Sequence, residues 1–550
     1  MFLALACACA THPVPSPPAT PVQFDPLAAA LATIRADDLV THVRTLASDS
    51  FEGRFPGTAG EAKTVAYISA AFGRLGLAPA LDGSYLQPVP LLAATVVQDA
   101  RLIARAGGKS ITLRWGPEVL MASPTAAPRT ALARLDAIFV GHGIVAPEYG
   151  WDDYKNRDVA GKLVLLVADE PRRDDDPKFF EGRALSRHGT RAHKDELAAE
   201  RGAAAVLEIR GDEHGGVAWA TLEIGARAPK YLLEHVAGKR PAISGIVREG
   251  PARQLLALGG HDLDALRAAA LRPDFAPVPI AVVGDILVET SRQSITSHNV
   301  VGLLPGRTRP HEYVIYTAHW DHVGVRPSLA GDNIFNGAVD NATGTAALLE
   351  LAEAFTTLRP GPERTVVFLA TTAEEQGLLG ARHYAEHPLL PLRDTAGVIN
   401  MDALFPFGAT KGMTVVGLGS SELEPLMDAA ARAVGRKLYA DPNPEFGAFF
   451  RSDHYPFAEK GVPAIFAVGG PALDPAAGDV VDLSRYEDYV TTRYHQPGDH
   501  YDPATWDMGG ILQDVVVYFR TGEALANSAQ FPNWNPGHPF RAKRDAMRGG

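Results

Sequence analysis

A set of side chains able to hold a cation or move a proton recurs at short, irregular spacings in the second half of the chain. His319, Asp321 and His322 follow the apolar run Tyr313–Ala318, and Asp340 opens the small-residue segment Asp340-Asn341-Ala342-Thr343-Gly344. Glu374-Glu375 come just after Thr365–Ala370, Asp402 just after Ala396–Asn400, and His495 lies in Tyr494-His495-Gln496-Pro497-Gly498-Asp499. Each alone is weak: a histidine at a strand end is usually a hydrogen-bonded surface residue, and an aspartate before a helix is usually its cap. Together they carry more, because successive strands deliver them to one edge. Converging carboxylates repel and raise one another's pKa unless a cation neutralises them. Two imidazoles among several carboxylates suit two divalent ions sharing a bridging carboxylate. The imidazoles favour zinc over calcium or magnesium, which prefer oxygen alone. Cys7 and Cys9 are the only cysteines, so the ligands beyond them are nitrogen or oxygen.

Positioning such a set requires strands that end together. Tyr313–Ala318, Thr365–Ala370, Ala396–Asn400 and Pro463–Val468 are apolar runs of the kind buried on both faces of a parallel sheet. Helical stretches at Gly344–Leu358, Leu378–His387 and Glu422–Val434 separate them; in the first, Leu348, Leu351, Ala352 and Phe355 form one stripe. Alternation of strand and helix predicts an α/β fold with a mostly parallel sheet flanked by helices, whose strand ends carry function. Upstream, Leu27–Leu46 and Thr58–Leu75 have helical spacing. The segment from Leu135 to about Val283 reads as short β runs with one helix near Ala192–Arg201, a β-rich unit set between two parts of another domain.

The chain has 550 residues, too many for one ordinary core, with 46% hydrophobic and 21% charged residues, an ordinary globular balance. A net charge of −12 without basic runs argues against nucleic acid as a partner. No stretch is long and apolar enough to span a membrane. The opening MFLALACACATHPVPSPPATP reads as an export signal or lipoprotein leader, with Cys7 or Cys9 as a possible lipid-anchor site, and then a Pro-rich linker. The expected setting is extracytoplasmic: periplasmic, envelope-anchored or secreted.

The spaced motifs AHWDH, DNATG, TTAEEQGLLG, INMDAL, RSDHYPF and YHQPGD, in that order, resemble the co-catalytic zinc aminopeptidases of metallopeptidase family M28. That family also includes glutamate carboxypeptidase II and the transferrin receptor ectodomain. The similarity runs from Phe24 to Phe519 and takes in FEGRFPGTAGEA near the start; FVGHGIVAPEYGWDDYKNRDVAGKLVLLV resembles the protease-associated (PA) domain often inserted in the family. The resemblance implies a zinc exopeptidase-like fold of the phosphorylase/hydrolase type. It sets a leader at 1–23, the first part of the peptidase domain at 24–130, a PA domain at 131–284, the catalytic domain at 285–530 and a tail at 531–550.

It also implies two Zn²⁺ per chain, with His319 and Asp402 on one ion, Glu375 and His495 on the other, and Asp340 bridging. Glu374 would be the general base, Tyr494 an oxyanion donor and Asp321 the group orienting His319, while His322 and Asp453 match motifs without a direct metal role. A cis peptide after Asp340 is implied as well. Peptides would be the substrates. Three alternatives stay open: a receptor-like protein with an inactive site, a single-zinc glutaminyl cyclase-like transferase, and a carboxypeptidase clamping its substrate with Arg382, Arg451 or Arg493.

Overall fold

The computed structural model describes residues 25–549 apart from 98–99, 173–175, 177, 215–216, 236–237 and 471–483. The leader and the anchor site at Cys7 or Cys9 therefore lie outside the described residues.

Among the described residues, nine strands of four or more residues build the catalytic sheet: β1 (Leu86–Val96), β2 (Lys230–Leu233), β3 (Val278–Leu304), β4 (Arg309–His319), β5 (Arg364–Thr371), β6 (Thr395–Asn400), β7 (Gly412–Val416), β8 (Lys437–Ala440) and β9 (Ala464–Gly470). Their order is β2-β1-β3-β5-β4-β6-β9-β7-β8, and the central run β5-β4-β6-β9 is parallel. β5 and β6 are buried along their whole length, and β4 from Tyr313 onward, as their unbroken apolar sequences require. Helices Thr343–Thr357 and Gly509–Asn527 pack on this sheet around one core that includes Val314, Tyr316, Phe355, Phe368 and Phe519. The register does the positioning. His319 pairs with Thr371 and Thr317 with Asn400, so the residues leaving β4, β5 and β6 emerge level with one another.

A second sheet carries its own core, with Leu102, Trp115, Phe139, Leu165, Leu207 and Ile246 among its members. Arg129–Phe139, Leu163–Val167, Ala205–Arg210 and Ile243–Arg248 run parallel in that order. Val119–Ala122 and Arg101–Ala106 add to this sheet antiparallel, so residues from about 100 onward pack here rather than with the segment that precedes them. β3 is long enough, at 27 residues, to run through both sheets.

Two local expectations are corrected. The helical stretch predicted over Leu27–Leu46 is two helices, Pro26–Leu31 and Ala36–Leu46: Thr33 turns its hydroxyl back onto the Ala30 carbonyl (2.8 Å) and Arg35 is extended. The β-rich unit holds four helices, not one: Arg191–Glu200, Trp219–Arg227, Glu249–Leu258 and Leu263–Ala270. Each is only 8–10 residues long, so its stripe (Ala252, Leu255 and Leu256 in the third) is too short to stand out among β runs.

Candidate metal centre

Each strand that ends at this edge contributes to one buried cluster. His319 closes β4, and its Nε2 lies 3.1 Å from Asp402 Oδ1 and 3.3 Å from Asp340 Oδ1. His495, from a loop near the C-terminus, has its Nε2 3.1 Å from the other oxygen of Asp340 and 3.0 Å from Glu375 Oε2. Asp340 thus divides its two oxygens between two histidines, and each histidine meets one further carboxylate. His322 stands on the second side, with Nδ1 2.7 Å from Glu375 Oε1 and no partner for Nε2. The structure therefore adds His322 to the second donor group (His322, Asp340, Glu375), although its motif match suggested no direct metal role. His319, Glu374 and Asp402 form the first, their ligand atoms all within 4.8 Å of one another.

The electrostatics state what this donor set lacks. Burial alone would lower the pKa of both histidines. Instead Asp402, Glu374 and Asp340 hold His319 well above its usual value, and Glu375 with Asp340 takes His495 up to about 10. Burial would likewise raise the carboxylates, yet the histidines bring Glu375 down to about 2 and Asp340 well below its usual value. Without a cation the cluster must borrow protons for its charge balance. A divalent ion between these nitrogens and oxygens would replace those protons. The residues fit such an ion in number, type and orientation, being nitrogen and carboxylate oxygen only.

Glu374 differs from its neighbour. Its carboxylate makes no hydrogen bond among the described residues. Burial, helped by Asp402, Glu375 and Asp453, raises its pKa well above the ordinary carboxylate range. Asp321 accepts the Glu374 backbone N–H (3.0 Å), while His319 Nδ1 faces the Asp321 carbonyl at 3.2 Å and its carboxylate only at 3.8 Å. Asp321 therefore holds His319 mainly through its backbone and spends its carboxylate on the Glu374 loop. Tyr494 stacks on the His495 ring with centroids 3.9 Å apart, and its hydroxyl pKa is raised by burial, Asp340 and Glu375.

An outer layer fixes these groups. Asp499 accepts the backbone N–H of Val339 (3.0 Å) and of Asp340 (3.1 Å) and the Tyr489 hydroxyl (3.1 Å). The peptide between Asp340 and Asn341 is cis. Asn341 reaches across to β6, donating to the Met401 carbonyl (3.0 Å) and accepting from Ala403 N (3.1 Å) and Gly344 N (2.9 Å). A Cβ at Gly344 would overlap that amide oxygen, which is why glycine stands second in the helix. Ser452 donates to Asp402 Oδ2 at 2.5 Å, and Thr371 donates to Asp453. Arg54, wholly buried, donates to the carbonyls of Leu46, Trp320, Asn336 and Gly337, tying the β4 loop to the loop before Asp340. Sequence reasoning assigned no role to Asp499, Asn341, Ser452 or Arg54. All four lie inside quoted motifs, which marked the segments but not the contacts: Arg54, in FEGRFPGTAGEA, reaches Trp320 across 266 residues of chain.

Residues 299–520 match the family model described as Peptidase family M28. Aminopeptidase YwaD of Bacillus subtilis is 27% identical over 228 residues, 40% of this chain and 44% of that protein. A protein named "Probable zinc metalloprotease" from Pyrenophora teres f. teres is 38% identical over 116 residues, 21% of this chain and 24% of that protein. This chain thus spans less than half the length of the curated relatives it matches. Among solved structures, an aminopeptidase from Aneurinibacillus sp. strain AM-1 superposes with a TM-score of 0.50 at 18% identity, covering 92% of this chain and 97% of that one, a likeness of fold. The segment that matches contains His319, Asp340, Glu374, Glu375, Asp402 and His495, so every residue of the two donor groups lies where this chain is similar to peptidase family M28.

Proposed function

We propose that the protein is a zinc-dependent aminopeptidase that holds two zinc ions and removes single residues from the free N-terminus of peptides. The observation that carries this reading is the division of Asp340 between His319 and His495, which splits the donors into two half-sites with one shared carboxylate. The names of the relatives, one an aminopeptidase and one a zinc metalloprotease, support the same chemistry. Bound there, two zinc ions would supply Lewis acidity, lowering the pKa of a water towards neutrality and polarising the scissile carbonyl. Glu374, whose carboxylate has no hydrogen-bond partner among the described residues, takes the proton of the attacking water and returns it to the leaving amine. Tyr494, held on the His495 ring, donates a hydrogen bond from its hydroxyl to the oxygen that gains charge.

Cleavage at the N-terminus follows from charge. Asp321, Asp340, Glu374, Glu375 and Asp402 converge on the site, more negative charge than two divalent ions balance, and such a field favours a substrate ammonium over a free α-carboxylate. A carboxypeptidase would need convergent arginines, but Arg382 is engaged with Glu459 (2.7 Å) and Arg493 with Asp488 (2.6 Å), which leaves Arg451, close enough to act on Tyr494, without a second arginine to converge with. We assign the second sheet to a PA-like unit that helps to roof the site. In support, Leu185 N donates to the Pro444 carbonyl (3.1 Å) and Arg183 pairs with Glu445 (2.9 Å), joining that unit to the loop before Arg451. The test compares a dipeptide amide with its N-acetylated twin, with and without chelator. Chelator-sensitive cleavage of the free-amine form alone is expected; equal cleavage of the two refutes the assignment.

A further inference from the structure

A cavity of about 820 Å³ opens between the second sheet and the catalytic domain, apart from the metal ligands but bordered by the segments that follow them. Gly377 and Leu379, just after Glu374-Glu375, form part of its wall, and Phe450 forms another part. Across from them stand Trp115, Leu120, Leu222, Leu232 and Ile246, so the walls are mainly apolar. Its volume falls in the range of roughly 300–1,000 Å³ usual for sites that enclose a small ligand.

The charges around it are unbalanced. Each acid on the wall already has a basic partner: Asp195 has Arg191 at 3.6 Å and accepts from Ser244 at 2.5 Å, Glu196 has Arg187 at 3.9 Å, and Glu459 has Arg382 at 2.7 Å. His193, also on the wall, is held neutral, since burial and neighbouring cations lower its pKa to about 3. Two cations remain, Lys230 and Arg240, neither with an acid within 4 Å among the described residues. Arg240 acts on Asp195 only at longer range. Lys230 is open to solvent and so within reach of a ligand, while partial desolvation and the like charge of Arg326 pull its ammonium below its usual pKa. Lys230 begins β2, and the backbone N–H of the next residue, Tyr231, points to Gln376 Oε1 (3.4 Å), so this rim is tied to the loop carrying Glu374-Glu375.

We propose that this cavity receives the carboxyl-terminal part of a short, apolar peptide substrate, with Lys230 and Arg240 binding its terminal carboxylate. The inference rests on the aminopeptidase reading and adds a substrate class to it: peptides of a few residues with a free C-terminus. The substrate then lies with its ammonium in the negative field of the metal centre and its carboxylate beside the unpaired cations of an apolar trough. Each charge stands where the field favours it.

The test uses a leucine tripeptide as the free acid and as the C-terminal amide. The acid is expected to be favoured about tenfold in kcat/KM, expressed in KM, as the loss of one charge-assisted contact implies, and the preference should shrink as salt is added. In Lys230→Met/Arg240→Met the two forms should be cleaved with nearly equal kcat/KM, with the thermal midpoint of the variant confirming that it is folded. Equal kcat/KM for acid and amide in the unsubstituted enzyme overturns the proposal without any variant. So does a preference that persists in the folded double variant. Failure to cleave either form would remove the aminopeptidase reading, and this inference with it, whereas cleavage without discrimination removes the inference alone.

Discussion

Replacing Glu374 by glutamine changes one oxygen to an amide and removes a proton acceptor without changing side-chain volume. Its consequences should differ sharply from those of the same change one residue later. Glu374 has no hydrogen-bond partner on its carboxylate among the described residues, so no ordered contact is lost. Glu375 is tied to His322 at 2.7 Å and to His495 at 3.0 Å, so Glu375→Gln turns an anionic ligand between two imidazoles into a neutral amide. A general base is worth about 10²–10⁴ in turnover, which at about 1.4 kcal/mol per tenfold is roughly 3–5 kcal/mol of transition-state stabilisation. Glu374→Gln should lose that much in kcat while keeping the full complement of zinc. Glu375→Gln should lose metal first and activity as a result. Elemental analysis of dialysed protein alongside kcat measurement separates the two. The competing possibility has a structural basis, because a Glu374 oxygen lies within 4.8 Å of the His319 and Asp402 ligand atoms. A Glu374→Gln protein that sheds an ion, with Glu375→Gln retaining both, would show that the two glutamates have been assigned in reverse.

Asp499→Asn should weaken metal retention about 10–100-fold in a chelator competition, because it disturbs the carboxylate that receives the Val339 and Asp340 N–H groups and so sets the bridging ligand. Arg54→Met should cost about 3 kcal/mol or more in denaturant unfolding, since it strands the buried carbonyls of Leu46, Trp320, Asn336 and Gly337. Burial pushes Glu350 up to about 8. Its folded form therefore binds a proton more tightly than the unfolded chain, and the protein should lose stability as pH rises from about 4.5 to about 8. Glu350→Gln removes that loss: it should raise the thermal midpoint by a few degrees at about pH 9 and leave it nearly unchanged at about pH 4.

The four parallel strands at the centre of the catalytic sheet and the candidate ligands were legible in the sequence for one physical reason, whereas the short strands Lys230–Leu233, Gly412–Val416 and Lys437–Ala440 were not. A strand buried on both faces must be apolar throughout, so the polar residue that ends it is conspicuous. Tyr313–Ala318 before His319 and Thr365–Ala370 before Glu374 illustrate this, and register then levels the ends. Helix Gly509–Asn527 shows the opposite case. It opens on two glycines with no capping side chain, and Gly522 lies inside it because the ring of Tyr316 would meet any Cβ there, so its start and composition argue against what packing imposes. The approach of His322 to Glu375 was not legible because its ring direction depends on the turn after β4. Arg54 escaped because three of its four acceptors, on Trp320, Asn336 and Gly337, come from remote segments. Spacing along a chain shows which residues leave a strand together, but not which way a loop side chain points.

The manner in which the second sheet joins the first has a consequence for how the protein can change. β1 and β3 pair antiparallel from Leu86 against Val300 to Val96 against Thr290, so everything between Val96 and Thr290 occupies the place of a hairpin turn. By topology alone the unit is detachable, since a short turn joining those two residues would close the catalytic sheet without rerouting any strand. One piece of the insert resists excision. β2 comes from inside it yet returns to cover the outer side of β1, with Lys230–Leu233 set against Leu91–Ala94. Trimming the unit would bare an edge carrying Leu91 and Leu92, open to pairing with another chain. A shortened descendant of this protein would have to keep Lys230–Leu233 or place a charge or proline on that edge.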